Sequence, residues 1–149
     1  MLSNKYAELY WIYIFVSSSI PLRALRRYAQ DLDRLADQNI VMVMRGFVGG
    51  MKHFKPTGDF IESVLKKDES CELVTGSCEM YNAGIEIDPL LFRKYGITQV
   101  PAVVYVPEVK SEVEFIEWSK DDGGSSEYYV VYGDASIEYV MEVIGKGVN

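Results

Sequence analysis

The chain predicts an α/β fold, a central mixed sheet with helices on both faces in the order β-α-β-α-(insert)-α-β-β-α. Three observations carry this reading. Tyr10 to Val16 (YWIYIFV) and Ile40 to Met44 (IVMVM) are continuous apolar runs, the composition of strands covered on both faces. A helical pattern separates them, so the pair forms a right-handed parallel crossover. Ala102 to Val106 and Tyr128 to Tyr132 then follow one another without a helical pattern between them, as an antiparallel hairpin requires, and a final helix closes the chain.

Each element has a local reason. The first strand runs into Ser17-Ser18-Ser19-Ile20-Pro21, and a helix is predicted from about Ile20 to Gln38. Leu22, Leu25, Ala29, Leu32, Leu35 and Ala36 recur at helical spacing on one face. Ser18 or Ser19 is placed to cap it, and Pro21 is tolerated in the first turn because its missing N–H has no helical partner there. Gly46, Gly49 and Gly50 mark a loop after the second strand. Thr57 is the predicted cap of a helix through about Lys67, with Phe60, Ile61, Val64 and Leu65 inward. A polar cysteine-containing stretch, Lys67 to Asn82, follows, then a short strand at Gly84 to Ile87.

Asp88-Pro89 starts the next helix, which carries Leu90, Leu91, Phe92 and Tyr95 and ends at Gly96. Between the last two strands, Pro107 to Glu127 is rich in Glu, Asp, Gly and Ser. Val113, Phe115, Ile116 and Trp118 within it suggest an extended arm, and Asp121 to Ser126 a turn. The closing helix spans about Ala135 to Gly145, with Asp134 as cap and Ile137, Val140, Met141 and Ile144 inward.

At 149 residues, with 48% hydrophobic and 25% charged residues, the chain has the size of one domain and the means to pack a core. The net charge of −7 argues against a nucleic-acid partner, which needs a basic face. Arg23, Arg26 and Arg27 share a helix with Asp31, Asp33 and Asp37 and read as a solvated face. No apolar run approaches the roughly 18 residues of a membrane span, so no direct membrane insertion is expected. Tyr10 to Val16 has little basic flank and no small-x-small cleavage site after it, which makes it a strand rather than a signal-peptide core.

Candidate chemistry is sparse. Cys71 and Cys78 are separated by six residues, too wide for a Cys-x-x-Cys redox pair and without partner ligands for zinc. They read as a small disulfide closing a loop, which implies an oxidising compartment; two unpaired thiols in a reducing one is the alternative. His53 is the only histidine, so Ser17, Ser18 and Ser19 lack a base and read as turn and cap residues. Arg45 ends an apolar strand, either to hold a partner's carboxylate or to pair internally with Asp88 or Glu86. Tyr128, Tyr129 and Tyr132 lie at the hairpin's second strand, where outward tyrosines suit a protein interface and strand propensity explains them as well. Parallel strands bring Ser17 to Pro21 and Arg45-Gly46 to one sheet edge, and the strand after Pro101 starts there too. Ser17, Ser18, Ser19, Pro21, Arg45, Gly46, Val100 and Pro101 are therefore the candidate binding groove.

The segments IFVSSSIP, VMVMRGFVGG, GIEIDPLLFRKYGITQVPAVVYV and VVYGDASIEYVMEVI resemble the F-type conjugative pilus-assembly TrbC family, thioredoxin-like proteins of bacterial type IV secretion systems. The resemblance covers about residues 11–144 and is most specific over Gly84 to Pro101 with the preceding Arg45-Gly46. It implies one thioredoxin-like domain over 1–149, with the cysteine loop at 67–82 and an acidic hairpin insert at 107–127. Thioredoxin-like domains place a redox Cys-x-x-Cys after the first strand and a cis-proline facing it. Here serines hold the first place and Pro101 the second, where a cis bond would bare Val100 for pairing with an extended peptide.

The resemblance further implies a periplasmic, non-catalytic protein that supports pilus assembly through contacts with other assembly proteins such as TraW, with no catalytic residues and no cofactor. The chain departs from the family's usual pattern in showing no signal peptide and in its acidic arm. Two other function classes remain open from the sequence: a thiol-disulfide oxidoreductase using Cys71 and Cys78, and a peptide-binding chaperone.

Overall fold

The computed structural model describes residues 10–50, 54–72, 76–107, 127–134 and 136–148. Along them run β1 (Trp11–Val16), α1 (Leu22–Leu35), β2 (Ile40–Met44), α2 (Phe54–Leu65), β3 (Ile85–Ile87), α3 (Pro89–Lys94), β4 (Ala102–Val106), β5 (Tyr129–Tyr132) and α4 (Ile137–Val148). The strands form one sheet in the order β3-β2-β1-β4-β5. β1 is parallel to β2, with Val16 opposite Met44, and antiparallel to β4, with Phe15 opposite Ala102. β3 extends the sheet in parallel on β2, and β5 extends it antiparallel on β4. The carboxyl ends of β1, β2 and β3 therefore share one edge with the start of β4.

Side-chain alternation along the strands splits the interior into two layers. Ile12, Ile14 and Val16 of β1 join Met42, Met44 and Val103 against Leu25, Tyr28, Ala29 and Leu32 of α1, Val64 of α2, and Ile137 and Val140 of α4. Tyr13 and Phe15 point the other way, with Val43, Ala102 and Val104, against Leu91, Phe92 and Tyr95 of α3. The Phe15 ring meets Phe92 edge-on at 4.7 Å, a favoured aromatic geometry. Helices thus cover both faces, as the two apolar runs require.

Several element ends differ from the sequence reading. Helix α1 starts at Leu22, and its N-cap is Pro21, with no side-chain cap. Neither Ser18 nor Ser19 fills that role, because the serines close their own turn: Ser19 N–H donates to Ser17 Oγ (3.2 Å) and Ile20 N–H to the Ser17 carbonyl (3.2 Å). Leu22, expected inward, is exposed in the first turn, and the fully buried Tyr28 fills the inner face instead. The helix ends before Gln38 because Ala36 turns left-handed (φ 51°) and the Asp37 carboxylate accepts from Asn39 N–H (2.9 Å).

Helix α2 begins ahead of Thr57, which is buried and accepts from Val48 N–H (2.8 Å), so this residue ties the glycine loop to the helix rather than capping it. α2 ends at Leu65, whose carbonyl accepts from Tyr81 N–H (2.7 Å) and anchors the returning chain. The cap of α4 is Ser136, whose hydroxyl accepts from Tyr139 N–H (3.1 Å), since Asp134 is occupied elsewhere. Met141, expected inward, is half-exposed. Asp88 does cap α3, accepting from Leu90 N–H (3.0 Å) and Leu91 N–H (3.3 Å), and Gly96 turns left-handed (φ 61°) at the other end. His53, Ala135, the Ile144 side chain, and the arm with Val113, Phe115, Ile116, Trp118 and the Asp121 to Ser126 turn lie outside the described residues.

Two substitutions test these assignments by chemical denaturation. Asp88→Ala should lose about 1 kcal/mol, the usual cost of a deleted N-cap. Phe15→Ala should lose roughly 3–5 kcal/mol, because the ring is fully buried between β1 and α3; a loss below about 1 kcal/mol would contradict that placement.

Candidate functional site

The edge where the strands converge is built from register. Ser17 and Arg45 each follow a paired strand end, Val16 and Met44, and Pro101 precedes Ala102, which pairs with Phe15. The Val100–Pro101 peptide bond is cis. The Pro101 carbonyl accepts from Gly133 N–H (2.9 Å), which ties the turn after β5 to the start of β4. On the other side, Asp88 N–H donates to the Met44 carbonyl (2.9 Å), so the start of α3 is fixed to the end of β2. Of the predicted groove residues, Ser17, Val100 and Pro101 are half-buried, and Ser18, Ser19, Pro21, Arg45 and Gly46 are exposed.

The serines form a closed polar turn. Ser17 Oγ and Ser19 Oγ lie 2.5 Å apart, and among the described residues neither hydroxyl meets a carboxylate or an imidazole. A nucleophilic serine needs such a base. Arg45 makes neither of the internal ion pairs considered for it: among the described residues it has no ion pair, and the Asp88 carboxylate is turned onto the α3 amides. Beyond Arg45, Phe47 meets Phe54 edge-on at 5.4 Å, and Phe54 is 70% exposed. Leu90 (60% exposed) at the start of α3 and Tyr132 (51%) at the end of β5 add exposed apolar surface to the same edge. This edge is thus polar at the serine turn and apolar on its flanks.

Cys71 and Cys78 are joined to each other, with Cα atoms 5.9 Å apart. Their loop follows α2 and is held by Lys66 Nζ donating to the Cys71 carbonyl (2.7 Å) and Lys67 N–H to the Glu79 carbonyl (3.0 Å). The disulfide therefore belongs to a surface loop and not to the β1–α1 turn. No cluster of metal-ligating side chains occurs among the described residues, and no helix there is long and apolar enough to cross a membrane.

One functional-looking group escaped the sequence reading. The Asp134 carboxylate accepts from both Arg27 and the buried Tyr28 hydroxyl (3.2 Å). Burial, reinforced by the Asp134 charge, pushes the Tyr28 phenol up to about 12. Asp134 looks like a helix cap in sequence, and only the fold brings it over α1.

The family described as Type-F conjugative transfer system pilin assembly protein matches residues 14–144. No curated protein matches the chain. Among solved structures, the chain is similar to the pneumococcal exposed lipoprotein thioredoxin of Streptococcus pneumoniae, at 14% identity and a TM-score of 0.52 over 96% of this chain and 88% of that one. It is also similar to the reduced N-terminal domain of PilB from N. meningitidis, at 14% identity and a TM-score of 0.51 over 99% of this chain and 88% of that one. These likenesses show the fold, which is thioredoxin-like.

The Tyr28 environment has an alkaline signature. An unfolded tyrosine ionises near pH 10, while the folded Tyr28 holds its proton to about 12. Its contribution is fully present below pH 10 and is lost as pH rises through 12, with a slope of at most about 1.4 kcal/mol per pH unit. Tyr28→Phe should flatten the fall in unfolding free energy across this window by one tyrosine's share; an unchanged slope would show that Tyr28 is not shielded.

Proposed function

The chain belongs to the type-F conjugative transfer system pilin assembly family, and from that premise we propose that it is a non-catalytic assembly factor working by protein–protein contact. Its place of action is the periplasm, its partners are other pilus-assembly proteins of the TraW kind, and its contact surface is the strand-end groove.

The observation that carries this reading is the Ser17 to Ile20 turn. It occupies the position where a redox thioredoxin-like domain carries its thiol pair, and it is built from serines bonded to one another. Disulfide exchange proceeds by thiolate attack on sulfur, and a hydroxyl does not substitute for it. What the groove retains is a polar turn beside Val100 and Pro101, flanked by the exposed Phe54, Leu90 and Tyr132. Exposed aromatic and aliphatic surface next to a polar floor suits a polypeptide ligand. The Cys71–Cys78 bond supports an oxidising home, where disulfides persist.

The same bond is the observation that favours a second reading, a thiol-disulfide oxidoreductase. One genetic experiment separates the two. Deletion of the gene in a donor cell should abolish mating and sensitivity to pilus-specific phage. A periplasm-targeted wild-type copy should restore both, and so should Cys71→Ser with Cys78→Ser. That double variant should unfold up to about 2.5 kcal/mol more easily, the chain-entropy value for so short a loop. Loss of rescue by a variant that still folds would move the function to the cysteines. Unchanged mating on deletion would remove the assembly role.

A further inference from the structure

A cleft of about 500 Å³ runs along the outer face of α1, beginning beside Pro21. Its floor is Arg23, Arg27 and Gln30, which share one helix stripe. One wall is held by Arg26, which donates to the carbonyls of Ser63 (2.8 Å) and Lys67 (3.2 Å), pairs with Glu69 (2.9 Å), and lies over the Tyr81 ring at 5.9 Å. The opposite wall is Asp134, bonded to Arg27 and to the Tyr28 hydroxyl. The walls come from two segments that both follow α1 in the chain, residues 63–81 and Asp134, and are fastened to it. This separates the cleft from the freely solvated helix face that the arginines suggest in sequence.

Three guanidiniums line the cleft against two carboxylates, so one positive charge remains in a chain whose net charge is −7. It resides on Arg23, which is exposed and has no ion pair among the described residues. We propose that this cleft is a second binding site, separate from the strand-end groove, that takes a carboxylate side chain presented by a partner polypeptide. Arg23 is the anchor, through a two-pronged guanidinium–carboxylate contact, and Gln30 supplies neutral hydrogen bonding beside it. The single surplus charge matches a monoanion. A phosphate dianion would bring a second negative charge against Asp134 and Glu69, at a cost in repulsion. The proposal does not depend on the groove being the assembly surface.

The test is an NMR titration of the ¹⁵N-labelled chain with a soluble peptide of alternating glutamate and alanine, with the matching glutamine peptide as control and inorganic phosphate as a second probe. The glutamate peptide should shift the Arg23 Nε–H resonance and the amides from Arg23 to Gln30, and the glutamine peptide should not. Arg23→Gln should weaken the glutamate peptide about tenfold while leaving the unfolding midpoint unchanged, since the side chain is exposed. Absent shifts, shifts that survive Arg23→Gln undiminished, or tighter binding of phosphate than of the glutamate peptide would each overturn the assignment.

Discussion

The burial of β1 on both faces and its pairing on both edges is the constraint on which the rest depends. Its five residues from Ile12 to Val16 are all nearly inaccessible to solvent, with aliphatic side chains toward α1 and aromatic ones toward α3. A slip of one residue would send Tyr13 and Phe15 into the aliphatic layer and Ile12, Ile14 and Val16 into the aromatic one. Neither layer has room for the exchange, because interiors are close-packed. The register is therefore single-valued, and with it the point at which the chain leaves the sheet at Ser17. Since β2 and β4 both take their register from β1, Arg45 and Pro101 arrive at the same edge as Ser17 for the same reason.

Helix α1 carries the second set of couplings. Its inner stripe contributes to the aliphatic layer, and its flanks are bonded to segments distant in sequence: the end of α2 through Arg26, and the turn before α4 through Arg27 and the hydroxyl of the inward Tyr28. Exposed ion pairs contribute little to stability individually. The Arg26 contacts differ in kind, because the guanidinium is half-buried and satisfies two backbone carbonyls at a place where the chain leaves helical structure. A helix fastened on both flanks forms the bottom of a cleft rather than a ridge, and that is what gives its arginines a shape as well as a charge.

The chemistry of the strand-end edge follows from serines that hydrogen-bond to one another. A thioredoxin-like frame positions whatever follows β1 against the residues before β4. With serines hydrogen-bonded to one another in that place, the frame offers shape, backbone groups and flanking apolar surface. The family whose model the chain matches is one of pilin assembly.

The sheet-and-helix order is legible in the amino-acid sequence, because continuous apolar runs, helical periodicity and the Asp88-Pro89 and Gly96 signals are local and act through backbone geometry and burial. The segments that meet at the strand-end edge are legible there too, since strand pairing aligns the ends of β1 and β2 with the start of β4. The caps of α1 and α4, the role of Thr57 and the partners of Arg26 and Asp134 are set by the folded arrangement. A polar side chain of one type satisfies a nearby amide, a distant carbonyl or an opposite charge equally well, and the choice rests on which groups the fold brings within about 3 Å. Ser19 and Asp134 show this most plainly. Both have the composition of helix caps, yet one closes its own turn and the other crosses to α1, because those partners are nearer once the sheet has formed.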